Sequence, residues 1–160
     1  MNKETIYQSM YPSPEQSKQL RDLGFDQTLA PVFWVWLEAG CWGGWALWLT
    51  RDKPDAPCII YAEPGAKQIL KEHPEDAGRF VTQSCCAYDL PALLGLLDDY
   101  VLDFEADPEH PGQIRFPYNR VSFPYTSFVA GCAELLISLV EQEQTSAELC
   151  NQRLIPYRKG

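Results

Sequence analysis

A chain of 160 residues suits one domain, long enough to bury roughly 70% of the surface its unfolded form exposes, so stability needs neither a disulfide nor a metal staple. Its 46% hydrophobic content is ordinary for a globular protein, and no internal repeat or low-complexity segment interrupts it. Formal charge is 13 − 22 = −9, which sets the expectation against direct nucleic-acid binding, because that affinity depends on Lys and Arg neutralising phosphates.

Met1-Asn2-Lys3-Glu4-Thr5 leads into polar sequence without the apolar core of a secretory signal, so the expected location is the cytoplasm. The six cysteines (Cys41, Cys58, Cys85, Cys86, Cys132, Cys150) are then expected to be mostly small buried hydrophobes rather than a disulfide scaffold.

Taken in order, the first element is a short helix within Tyr11–Gly24. Ser13 can cap it, Pro14 fits its first turn, Gln16 can close a capping box and Gly24 supplies a left-handed stop. The pattern Glu15-Gln16-Ser17-x-x-Leu20-x-x-Leu23-Gly24, followed by an aromatic-rich strand region, resembles small proteins of prophages and conjugative elements of Bacteroidetes and Firmicutes. Those proteins continue with a segment like Tyr88-Asp89-Leu90-Pro91-Ala92-Leu93-Leu94 and end in an amphipathic helix, so the likeness covers roughly half the chain in separate islands and leaves residues 50–80 unmatched. It implies an accessory protein of a mobile element. It supplies no activity and no catalytic residues.

All five tryptophans lie between Trp34 and Trp48. Phe33–Leu37 and Trp42–Thr50, separated by Glu38-Ala39-Gly40-Cys41, read as a β-hairpin apolar on both faces and therefore covered on both sides. Glu38, Gly40, Gly43 and Gly44 interrupt the run short of the ~20 apolar residues of a membrane span. Core packing is the expected use of the indoles. A stacking platform for sugar rings or bases is the alternative.

Cys58–Tyr61 reads as a strand, Gly65–His73 as an exposed helix stopping before Pro74, and Phe80–Thr82 as a further strand. Asp89 opens a helix with Leu90, Leu93, Leu94 and Leu97 on one stripe. Strands are expected at Tyr100–Phe104, Gln113–Phe116 and Val121–Phe123, then a helix over Ser127–Glu143 with Phe128, Cys132, Leu135, Leu136, Leu139 and Val140 packed on the sheet. The tail from Thr145 predicts a weak helical turn, and the first ten residues and those from about 152 predict loose ends. Together these predict a single α+β domain, a mostly antiparallel sheet centred on the tryptophan hairpin with two or three packed helices.

Asp103, Glu105 and Asp107 alternate, so on a strand their carboxylates share a face, with Glu109 and His110 beyond. Such oxygens suit Mg²⁺ or Ca²⁺, but no glycine-containing loop with EF-hand spacing is present, and an acidic edge that discourages strand pairing is the expected reading. Cys85 and Cys86 with His73 or His110 could be thiols or zinc ligands, yet adjacent strand residues point to opposite faces. No cofactor is expected, and no dinucleotide, Walker, Gly-x-Ser-x-Gly or His-Glu-x-x-His motif occurs. The leading expectation is a non-enzymatic protein that binds another protein, with a basic partner in view. Candidate partner-binding residues are Asp98, Asp99, Asp103, Glu105, Asp107 and Glu109, with Phe116, Tyr118 and Tyr125 as an aromatic alternative. An acidic inhibitor imitating nucleic-acid charge and a small metal-dependent hydrolase using strand 103–110 are the competing expectations.

Overall fold

Two extended runs, Val32–Ala39 (β1) and Trp42–Leu49 (β2), pair antiparallel over their whole length, joined by Gly40-Cys41. Gly40 sits at φ +60°, a left-handed conformation that the tight hairpin turn requires. This is a computed structural model, and it describes residues 10–28, 31–49, 58–97, 105–115, 122–124 and 128–158.

The hairpin forms the centre of a four-stranded antiparallel sheet. Cys58–Ala62 (β3) flanks β2, and Val81–Cys86 (β4) flanks β1, giving the order β3-β2-β1-β4. Register shifts place one extra residue on each outer strand, between Leu47 and Trp48 against β3 and between Trp36 and Leu37 against β4. A second, three-stranded antiparallel sheet is built from Glu105–Ala106 (β5), Gln113–Arg115 (β6) and Ser122–Pro124 (β7). The expected strand at 100–104 lies outside the described residues.

Among the described residues five α-helices surround these sheets. Pro14–Asp22 (α1) starts with the expected reciprocal cap: Gln16 N–H donates to Ser13 Oγ, and Ser13 N–H donates to Gln16 Oε1. The same Gln16 amide donates to Ala130 O and Glu134 Oε1, each at 3.0 Å, so the cap also fastens α1 to a later helix. Gly24, at φ +101°, ends the helix as expected.

Pro64–Glu72 (α2) was expected to be exposed, but it buries Ala66 and Ile69 against Val35, Leu37, Ala46 and Trp48. Leu90–Leu96 (α3) is capped by Asp89, whose carboxylate accepts from Ala92 N–H at 3.0 Å. Its buried stripe is Leu93, Leu96 and Leu97 rather than the four leucines expected, and Leu94 is 37% exposed.

Phe128–Glu141 (α4) is buried almost all round, with Val129, Ala133 and Ile137 as covered as Leu135 and Leu136. Instead of lying flat on the four-stranded sheet it packs among α1, α3 and β7, meeting the sheet through Phe33 and Cys86. Ala147–Arg158 (α5) is a full helix where a weak turn was expected, and Cys150 and Leu154 are buried in the same cluster.

The two faces of the hairpin are covered unequally. One face carries α2 and the helical cluster. On the other, Val32, Trp34, Leu47, Cys85 and Ala87 pack with Tyr11, and Trp34 Nε1 donates to Pro12 O at 2.9 Å. That N-terminal segment covers the Val32–Trp34 end. Trp45 packs against the same cluster, and among the described residues Trp36, at the other end of that face, belongs to none of the three buried clusters.

Candidate functional site

Period-two alternation assigns the side chains of this outer face. Val32, Trp34, Trp36 and Glu38 share it on β1, facing Leu49, Leu47, Trp45 and Gly43 on β2. The indoles therefore divide by position. Trp34 and Trp48 are core, on opposite faces of the sheet, at 1% and 5% exposure. Trp36 and Trp45, a directly opposed cross-strand pair, are half-buried. Trp42, beside the turn on the face that carries α2, is 45% exposed.

Trp36 and Trp45 meet edge to face, with centroids 5.4 Å apart and planes at 72°. Gly43 makes room for this arrangement: a Cβ there would stand 3.0 Å from Cζ2 of Trp36. Trp45 is fixed from its backbone, where its N–H donates to Glu63 Oε1 at 2.6 Å and its carbonyl accepts from Glu63 N–H at 2.9 Å. Among the described residues neither indole N–H of the pair makes a hydrogen bond, and both residues are half-buried. Glu38 is exposed at the end of the pair and makes no ion pair among the described residues.

The acidic segment is arranged differently from the expectation. Asp98, Asp99, Asp103, Phe116, Tyr118 and Tyr125 lie outside the described residues. Glu105 is neutralised by Arg115, its cross-strand partner, at 2.8 Å. Asp107 is buried, 6% exposed, and turned into its own loop. Its carboxylate accepts from Glu109 N–H and lies 2.9 Å from His110 Nδ1. Desolvation pushes its pKa up, but the Glu109 N–H, the His110 ring and Arg115 outweigh that and hold the carboxyl below its usual range. Of the three described carboxylates of the expected row, Glu105 and Glu109 are exposed, Glu105 pairing with Arg115, and only Asp107 departs from the expectation by turning inward. The reason is local, because an Asp two residues before a turn satisfies the turn's own N–H groups.

Cys85 and Cys86 lie on opposite faces as alternation requires, Cys85 beside Trp34 and Cys86 beside Tyr88. Burial pushes the Cys85 thiol up to about 11, only partly offset by Arg21 and Lys18. Among the described residues all six cysteines are free, with Cys41 and Cys58 exposed, and no group of His, Cys, Asp and Glu converges on a point that could hold a metal. No helix among the described residues is long and apolar enough to cross a membrane.

An open cleft between Leu23–Asp26 and Ala147–Gln152 is a structural seam. Asn151 spans it, accepting from Asp26 N–H at 2.8 Å and donating to Gly24 O at 3.0 Å, so its amide is already committed.

No family model, no curated protein and no solved structure matches this chain. The sequence signal that finds the outer face is the alternation of Trp36 and Glu38 opposite Trp45 and Gly43. It was obscured by the neighbouring Trp34 and Trp48, which are core.

Proposed function

We propose that the protein works by binding, without catalysis of its own, and engages a protein partner through the outer face of the tryptophan hairpin. The observation that carries this is the Trp36–Trp45 pair, half-buried on rigid strands with unpartnered indole N–H groups. Indoles already held by a sheet lose little freedom on association, and tryptophan is enriched among the residues that dominate interface energies. The resemblance of the N-terminal pattern supports an accessory role in a mobile element. Imitation of nucleic-acid charge is less well supported, because Glu105 and Asp107 are occupied inside their own hairpin.

Quantitative affinity capture from a host lysate tests the reading. The wild type is compared with Trp36→Ala/Trp45→Ala and with Glu109→Gln, melting curves serving to show that each variant is folded. A partner retained by Glu109→Gln and lost by the double tryptophan variant is expected. The same proteins captured equally by all three would refute it.

A further inference from the structure

We infer that the group received by the outer face is a cation, the guanidinium or ammonium of an Arg or Lys side chain in an exposed segment of the partner, stacked on the Trp36–Trp45 pair and neutralised by Glu38. The inference rests on the docking reading above and adds the chemistry of the occupant.

Glu38 follows Trp36 by two residues on the same strand and face, a spacing of about 6.6 Å along β1. Its cross-strand partner is Gly43, which has no side chain to screen it. Like most carboxylates of the surface, Glu38 makes no ion pair among the described residues. A negative charge therefore stands at the rim of two indole rings, beside the Trp36 ring that lies over Gly43.

Three kinds of occupant could cover such a face, and electrostatics separates them. An apolar side chain or a neutral sugar ring would stack on the indoles but would desolvate Glu38 without compensation, which is unfavourable for an ion left unpaired on burial. A cation reverses that sign. It gains the ring quadrupole together with the carboxylate. Arg suits the site best, since its planar group stacks on an indole while its N–H donors reach a carboxylate. An indole N–H is a donor that can bond the main-chain carbonyls a peptide segment carries on either side of its side chain. The net charge of −9 attracts the same partner at longer range.

The test uses the full chain and acetyl-Gly-Arg-Gly-amide as the probe, with its citrulline analogue as the neutral isostere and methyl glucoside as the neutral ring. Indole N–H resonances are followed by NMR and assigned with Trp36→Phe and Trp45→Phe. The expected result is a saturable shift of the Trp36 and Trp45 signals by the arginine peptide. That response should be about tenfold weaker with citrulline, with Glu38→Gln or at high salt. Equal responses to arginine and citrulline, a stronger response to the glucoside, or no movement of either resonance would each overturn the inference. A captured partner lost on the double tryptophan change but bound at full affinity by Glu38→Gln would also overturn it, while leaving the docking reading intact. Capture indifferent to the tryptophans removes the docking reading itself.

Discussion

Gly65, in the first turn of α2, lies directly against the backbone of Gly43 on β2, so close that a Cβ at position 65 would overlap the Gly43 carbonyl. Gly44 answers from the strand side, where a Cβ would stand 2.8 Å from Ala66 N. Helix and strand are in backbone contact, and the segment that includes Glu63 is held against Trp45. Gly65→Ala must push the helix off the sheet, since the clash is with backbone rather than with a side chain that can rotate away. It should cost about 1–3 kcal/mol or more by overpacking, seen as a lower denaturation midpoint, with a changed Trp36–Trp45 signal in near-ultraviolet circular dichroism. An unchanged midpoint would show that α2 is not seated as described.

Leu136 and Leu94 distinguish core from surface among the leucines. Leu136 is fully buried between helices, so Leu136→Ala should cost about 2–5 kcal/mol. Leu94 is 37% exposed, and Leu94→Ala should cost well under half as much in the same urea titration.

Asp107 acts on folding and not on docking. Because its carboxyl is held below its ordinary range, the stability it contributes is present above about pH 4 and is lost as pH falls through the lower, folded-state value. Asp107→Asn should therefore lower the melting temperature at neutral pH, and the gap to wild type should close in acid. A gap that stays constant across that range would argue against the contacts to Glu109 and His110.

The buried thiols impose the opposite dependence. Burial pushes Cys132 up to about 12 and Cys85 up to about 11, and it raises Tyr88 and Cys150 as well. These groups favour the native state while protonated. Stability is complete below the ordinary thiol value of about 8.5 and should fall as pH rises beyond it. Cys132→Ala should make that alkaline decline shallower. Under native conditions a thiol reagent should react quickly with Cys41 and Cys58 and reach the other four only on unfolding.

Glu143 ends α4 in a left-handed conformation at φ +59°, a region that costs a residue with a Cβ about 1–2 kcal/mol. Glu143→Gly should remove most of that strain and raise the melting temperature by a few degrees, about 2–4 °C per kcal/mol at this chain length. A lower melting temperature would mean that the Glu143 side chain supplies more than its backbone costs.

Local rules were enough for the parts of this protein governed by near neighbours. The Ser13–Gln16 cap, the Gly24 stop, the hairpin with its turn at Gly40-Cys41, the cap at Asp89 and the opposite faces of Cys85 and Cys86 all follow from spacing and backbone preference, because each is settled within a few residues. Spacing also identified α4 as apolar. It did not reveal that α1, α3 and β7 surround that helix, since burial on every side is a property of what arrives from elsewhere in the chain. Tertiary structure alone decided which tryptophans are core. Trp34 and Trp36 have the same alternation and the same chemistry, but Trp34 is bonded to Pro12 and buried beside Tyr11, whereas Trp36 stays half-buried beside Trp45 and the exposed Glu38. It likewise turned Asp107 inward, because a carboxylate that can satisfy its own turn and a neighbouring imidazole gains more there than in water.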